Sequence, residues 1–424
     1  MARRRISTKT ILFWFLAFVP LFIMLEVSSY ILMKKTIPTR ITARLGKRTL
    51  DFYVAQRKHV VVNQPQVLSK PIRSKEIGDN RAGLRMFHPE LGWDYPPNIV
   101  YRDIDGITYH HGNGGERLSP DSYDKTLIAT YGDSFTYCAN VRDDCTWQTF
   151  LARRLGANVL NFGVEGYGSD QAMMKHELQG QTKARIVMLC ILPENINRVV
   201  NIYRPFYTYN DPLQLTKPIF VKKGDRLVLM ANPLKSVDDV KKLDDKKFLE
   251  KLAKHDYWYQ LDRKLPIMGF PWTISLLHWA NPVFEQIGIS LPAVFHKLLT
   301  PHYPWNLFDE EYPFSVMRHL IDRFETNANA LGSTPIIVIM PHKDFIQETV
   351  NYGMNRTARL ASYLTNQKYP FLDVVQTMAD MRLSRSQLEK LYQGHATAEG
   401  NQVLADILYS YLRKNFERLV APKT

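Results

Sequence analysis

Leu127-Ile128-Ala129-Thr130-Tyr131-Gly132-Asp133-Ser134-Phe135-Thr136 is the stretch whose reading decides the fold. Its first five residues form a short apolar run, as expected of a buried strand. Gly132 permits a sharp turn after the strand. The segment Asp143 to Gly156 then reads as a helix that ends at a glycine cap. A serine between a strand's carboxyl end and a helix lies where open α/β sheets place their ligands. It is a seat for a nucleophilic hydroxyl, although the same pentapeptide also suits a plain turn capped by Asp133 and Ser134.

The rhythm continues outward from this point. Val159-Leu160-Asn161 reads as a second strand, with a helix from Ser169 to Gln179 and Gly180 after it. Arg185 to Leu192 is an aliphatic run suited to a central parallel strand. After a long departure from about 199 to 305, a helix near Phe314 to Leu331, the strand Pro335 to Met340, the short strand Phe371 to Val374 and a closing helix Ala398 to Arg418 resume the alternation. Such alternation predicts a parallel sheet covered on both faces. Within the departure, Pro218 to Val221 and Arg226 to Leu229 predict a hairpin turned at Gly224-Asp225. A charged helix is expected from Ser236 to Lys254, followed by an apolar section, Trp272 to His302, expected to cover the site.

The chain has 424 residues, 45% hydrophobic and 12% aromatic, which excludes global disorder. Its formal net charge is +14, but no nucleic-acid motif accompanies it. Much of the excess lies near the N-terminus, which points to an anionic membrane surface instead. Arg3-Arg4-Arg5 precede an apolar run at 11–33 that is long enough to span a bilayer, with Glu26 its sole acidic residue. No A-x-A-like site follows, so the expectation is an uncleaved anchor rather than a signal peptide. The expected organisation is a cytoplasmic tail at 1–10, the anchor at 11–33, a basic connector at 34–82 and the folded domain at 83–424. Lys34, Lys35, Arg40 and Arg44 follow the span, so charge does not fix its orientation. Cys138 and Cys145 flank a short loop; they could close a disulfide, which requires an oxidising compartment, or stand as free thiols. The expectation adopted is an inner-membrane protein with a periplasmic domain.

A lone serine needs a base and donors for an oxyanion. Gly163-Val164-Glu165-Gly166-Tyr167-Gly168 follows the second strand and offers close backbone approach, or simply a glycine-rich turn. Its spacing does not meet the dinucleotide-loop pattern. Glu194-Asn195-Ile196-Asn197 follows the third strand, and Asn195 and Asn197 compete as side-chain donors or as caps. His395, in Gly394-His395-Ala396-Thr397, precedes the last helix and is placed to act as general base. His110-His111-Gly112-Asn113-Gly114-Gly115 precedes the first strand and reads as a surface turn. His342 follows a strand end and could line the cleft, although a surface loop is the reading adopted. His176-Glu177 lacks a second histidine at zinc-protease spacing, so no metal is expected, nor any cofactor.

Taken together, Gly132-Asp133-Ser134, Asn161-x-Gly163-x-x-Gly166, Asn195 and His395 with Gly400 resemble the blocks of the SGNH (GDSL-type) hydrolase superfamily. The resemblance covers about Phe87 to Arg418 without the insertion. It implies a three-layer, flavodoxin-like parallel sheet, a Ser134 nucleophile, a His395 base and an oxyanion hole from the Ser134 and Gly166 N–H groups with the Asn195 amide. One departure stands out. The family's aspartate three residues before the histidine is Tyr392 here. A Ser–His dyad held by a backbone carbonyl, an acid from elsewhere with Asp373 as first candidate, or a weakly catalytic binding role all remain open. The activity expected from the resemblance is that of a serine esterase or O-acyltransferase on acylated cell-surface glycans. The alternatives are a lipid-directed esterase and a partner in a polysaccharide-biosynthesis complex.

Overall fold

The computed structural model describes residues 8–36, 50–61, 85–103, 105–180, 182–208, 211, 213–224, 226–264, 270–278 and 306–420. The chain divides into two compact units, one of residues 1–53 with 259–305 and one of 54–258 with 306–424. The division falls within the expected insertion, with 199–258 in the larger unit and 259–305 in the smaller.

The larger unit is built on five parallel strands: β1 (Thr126–Gly132), β2 (Asn158–Gly163), β3 (Ile186–Ile191), β4 (Thr334–Ile339) and β5 (Phe371–Asp373). Their order across the sheet is β5-β4-β3-β1-β2, and every pairing is parallel. This is the doubly wound order whose switch point lies between β1 and β3, where ligands sit beyond the strands' carboxyl ends. All six residues of β3 are buried, as expected of a central strand with both faces covered. Burial of a side chain such as Ile186 or Leu189, each 0% exposed, stabilises the fold by roughly 1.5–3 kcal/mol. Right-handed crossovers place the β1–β2 helix on one face and the later connecting helices on the other. Accordingly the helices Trp147–Leu155 and Ala398–Asn415 pack together, as do Ser169–Gln179 and Glu311–Ala330.

Three local expectations change. The helix expected from Asp143 begins at Trp147, because Thr146 accepts the Thr149 N–H as N-cap and Asp143–Cys145 forms a separate turn. The charged helix from Ser236 splits into a turn of 3-10 helix, Val237–Asp244, and a helix Lys246–Ala253. The break falls at Asp245, whose carboxylate caps the second segment through the Lys247 N–H at 2.9 Å. The hairpin forms as Ile219–Lys223 against Arg226–Met230; Asp225 of its expected turn lies outside the described residues.

In the smaller unit a 29-residue helix, Thr8–Thr36, covers the expected anchor. Its side chains are described for residues 18–32, so part of the anchor expectation lies outside the described residues. Among the described residues no helix is long and apolar enough to cross a membrane. Trp272, of the section expected to cover the site, packs on Tyr30 of the Thr8–Thr36 helix, ring centroids 4.9 Å apart. Trp279 and Phe284 lie outside the described residues. Most of the connector expected at 34–82 does too, apart from a helix Leu50–Val61.

Candidate active site

β1 delivers Ser134 directly. Gly132 ends the strand, and a Cβ there would collide with the Thr136 hydroxyl and crowd the Cys190 carbonyl. Gly163, its register partner at the end of β2, is equally constrained, because a Cβ would strike the Tyr137 N–H. The two glycines let the four-residue helix Ser134–Tyr137 close onto the strand ends. Asp133 caps that helix by accepting the Phe135 N–H at 2.9 Å. Ser134 is the first helical residue, so its own N–H is among the orphan donors of the helix start.

His395 arrives from the other side of the sheet edge. Its loop is a two-residue ladder in which Tyr392–Gln393 pairs with His395–Ala396 around Gly394, whose φ is +82°. Buried Tyr392 roots this ladder, and Thr397 caps the closing helix by accepting the Gly400 N–H at 3.1 Å. His395 Nε2 stands 2.9 Å from Ser134 Oγ, across 261 residues of chain.

The second ring nitrogen meets neither a backbone carbonyl nor an acid. His395 Nδ1 lies 2.8 Å from Asn140 Oδ1. An amide oxygen accepts, so Nδ1 carries the proton and Nε2 is left as acceptor for the serine hydroxyl, the tautomer a general base needs. Asn140 thus occupies the position that the acid holds in a Ser-His-Asp centre. Asp373 does not. Its carboxylate accepts the Gln376 N–H at 2.9 Å as N-cap of the helix Val374–Asp380, and Asn355 Nδ2 donates to it at 3.3 Å. Desolvation raises its pKa above the ordinary value, against hydrogen bonds led by that of Gln376.

Asn140 sits in a tight loop with φ +70°, two residues after Cys138 at φ +61°, a backbone region asparagine tolerates well. The loop is held from below by buried Arg117. Its guanidinium donates to the carbonyls of Tyr137 at 2.9 Å, Cys138 at 2.7 Å and Val141 at 2.5 Å, and to Asp143 at 2.8 Å. From the side, the Asn140 N–H donates to the Tyr109 hydroxyl at 3.3 Å, which in turn donates to Asp103 at 2.8 Å.

Asn195 is brought to the site but its amide is engaged. Nδ2 donates to Asp133 Oδ2 at 2.9 Å and to the Tyr167 carbonyl at 3.4 Å. Both amide protons are used, because a buried carboxylate next to the nucleophile competes for them. Asn195 therefore braces Asp133 here rather than offering a free oxyanion donor. Arg198 joins that brace, donating to Tyr167 O at 2.9 Å and Asp133 at 3.2 Å. The rival Asn197 donates to the Tyr207 hydroxyl at 3.3 Å, away from the nucleophile. Gly166 has φ +80° in a turn closed by the Tyr167 N–H to Val164 O at 3.2 Å. Its neighbour Glu165 accepts from the Tyr95 hydroxyl at 3.1 Å, and its carbonyl receives Trp93 Nε1 at 3.1 Å and Arg85 at 3.2 Å.

Burial holds the His395 pKa below the ordinary histidine value; Glu165 and Asp133 pull it upward, and Arg198 and His342 push it down. A cavity of about 100 Å³ opens beside His395 and Asn140, lined by Tyr95, Tyr101, Tyr109 and Tyr137 with Asp105 and Glu165. A second, of about 340 Å³, lies against the same two residues beside Arg142 and Gln393.

Several sequence readings are corrected. All three cysteines are free; Cys138 Sγ lies 3.3 Å from Gln148 Oε1 instead of bonding Cys145. His111 is not on a surface turn. It is buried, its Nε2 2.9 Å from the Tyr137 hydroxyl, and burial with the Arg117 charge pushes its pKa down to about 3. His342 caps the helix Lys343–Tyr352 and packs on Phe135 at 5.5 Å, while Phe135 packs on His395 at 5.0 Å. Asn140, Arg117, Arg198 and Glu165 were missed as site residues. Only Glu165, inside the glycine block, carried a local signal.

No family model matches the chain and no curated protein matches it. Solved structures similar to it include a protein assigned to the lipolytic G-D-S-L family from Desulfitobacterium hafniense DCB-2, with 11% identity, TM-score 0.33 and coverage of 68% of this chain and 100% of that one. Another is a member of the same family from Veillonella parvula DSM 2008, at 10% identity, TM-score 0.32 and coverage of 69% and 99%. A third is an acetyl xylan esterase from Butyrivibrio proteoclasticus, at 12%, 0.26 and coverage of 73% and 68%. In its own geometry the chain is similar to the SGNH (GDSL-type) hydrolases: a serine after β1, a glycine turn after β2, an asparagine after β3 and a histidine before the last helix.

Proposed function

We propose that this chain is an ester-directed serine enzyme, an esterase or O-acyltransferase acting on acyl esters of cell-surface glycans, with the domain held at the inner membrane and facing the periplasm. The observation that carries the chemistry is the Ser134–His395–Asn140 relay, with contacts of 2.9 and 2.8 Å. In the first half-reaction Ser134 Oγ attacks the acyl carbonyl while His395 Nε2 takes its proton. The Ser134 and Gly166 N–H groups are the donors assigned to the oxyanion. Collapse breaks the ester bond, and the His395 proton goes to the leaving alkoxide. Water or a sugar hydroxyl then attacks the acyl-enzyme, losing its proton to His395, and Ser134 is released.

The tyrosine-lined cavity supports a glycan. Its aromatic faces suit the C–H face of a sugar ring, and the Asp105 and Glu165 carboxylates can accept from hydroxyls. Among the described residues no lysine or arginine lines it, which disfavours an anionic group there. Labelling with a fluorophosphonate tests the reading: wild type should label and Ser134→Ala should not. Equal labelling of the two would sink it.

A second reading, a binding or assembly partner in polysaccharide biosynthesis, is favoured by the uncharged Asn140, which stabilises an imidazolium less than a carboxylate does. Full in vivo complementation by Ser134→Ala would select it.

A further inference from the structure

The smaller unit contains a carboxylate in an unusual place. Glu26 lies within the apolar run at 11–33 and is only 5% exposed. It accepts the backbone N–H groups of Trp272 and of Thr273, the latter at 3.1 Å. Ser29, one turn on and also buried, lies 3.4 Å from the Thr273 hydroxyl. Phe22 meets Phe270 edge-on at 6.3 Å, and Tyr30 meets Trp272 at 4.9 Å. Around this polar seam the surface is apolar and open: Phe18, Leu21, Ile23 and Leu25 on one segment, Phe270 (71%) and Ile274 (52%) on the other.

Water cannot be the solvent for such a surface without a large uncovered apolar patch. In hydrocarbon the situation reverses. Exposed leucine and phenylalanine are at ease, and the costly groups are a carboxylate and unpaired helix-end N–H groups. Here each satisfies the other. Glu26 lies seven residues before Met33, the end of the apolar run, or about 10 Å at the helical rise. The start of the helix Trp272–His278 must share that depth.

We propose, resting on the anchor reading, that the segment around Phe270–Ile274 re-enters the lipid bilayer beside the helix Thr8–Thr36, with Glu26 as its intramembrane cap. The insertion then contributes a second membrane element, and its occupant is lipid hydrocarbon rather than a protein partner.

The test uses the full chain, with Cys145 replaced by serine, reconstituted in phosphatidylglycerol–phosphatidylcholine vesicles. Cysteines introduced one at a time at Ile274, at Phe22 and at the exposed hairpin residue Val228 carry an environment-sensitive fluorophore, the remaining Cys138 and Cys190 being buried. The expected result is quenching of Ile274→Cys and Phe22→Cys by lipid-borne nitroxides and loss of their quenching by iodide, with the opposite for Val228→Cys. If Ile274→Cys behaves like Val228→Cys while Phe22→Cys stays lipid-shielded, the proposal fails and the anchor stands. If Phe22→Cys is also iodide-quenched, both fall. Adding Glu26→Leu should restore iodide quenching at Ile274; no change would overturn the capping role.

Discussion

The two halves of the candidate catalytic pair are built by different means. Ser134 stands on the end of a central strand, locked by Asp133, Asn195 and Arg198 and backed by glycines that tolerate no side chain. His395 stands on a two-residue ladder, half-buried, rooted chiefly by Tyr392. The difference shows where the precision resides. The histidine's own loop carries no group that aims its ring. Orientation is supplied by Asn140, which belongs to the serine's side of the site and is fixed there by Arg117. The loop that carries Ser134 therefore places both the candidate hydroxyl and the residue that aligns the candidate base.

That asymmetry can be broken outright. Ser134→Ala should lower ester turnover by roughly four to six orders of magnitude, as measured on a small acyl ester, with little change in thermal stability. Similar turnover in the two proteins would remove the nucleophile from the comparison. Breaking the support is next in size. Arg117→Met leaves three carbonyls and Asp143 without their buried partner, and should cost about 3–5 kcal/mol of stability in a denaturant titration. A loss under about 1 kcal/mol would mean that the loop holds itself.

The orientation step is a smaller, sharper target. Asn140→Ala removes one hydrogen bond to a ring that becomes charged during turnover, worth about 2 kcal/mol or roughly thirtyfold in kcat. Its KM and melting temperature should stay near wild type; a change confined to KM would assign Asn140 to substrate binding instead. The pH profile refines this further. Only neutral His395 acts as base, and burial holds its pKa below 6.5. The acid limb of kcat/KM should therefore fall below that value. Asn140→Asp places a carboxylate beside the ring, favours the imidazolium and moves the limb upward. Glu165→Gln, the smallest change, removes an upward pull and moves it downward. Limbs that coincide in all three proteins would show that His395 does not govern the profile.

The sheet and the position of Ser134 were legible because both follow from local pattern. An apolar run, a glycine and a helix cap suffice to put Ser134 at a strand end, and the same periodicity located β3 and β4. The orienting residue was not legible, because its partner lies 255 residues away and nothing near Asn140 marks it. Asp373, the first acid candidate, stands at a strand end in the sequence, and only the structure shows its carboxylate engaged as the cap of the helix Val374–Asp380. The cysteine pair misled for a related reason: closeness in sequence says nothing about where a buried thiol points. Asn195 was located, but its chemistry depended on Asp133, a competitor visible only once β1 and β3 lay side by side.

Tyr109 belongs to a small antiparallel ribbon, Val100–Arg102 with Thr108–His110, that is no part of the five-stranded sheet, and Asp103 starts the turn that closes it. A chain trimmed to begin just before β1 would keep the whole sheet, Ser134 and His395, and would still read as a complete hydrolase domain. It would lack Arg117, Tyr109 and Asp103 together, leaving the Asn140 loop without the groups that hold its carbonyls and the Asn140 N–H. The functional boundary of this domain therefore lies well upstream of its architectural one.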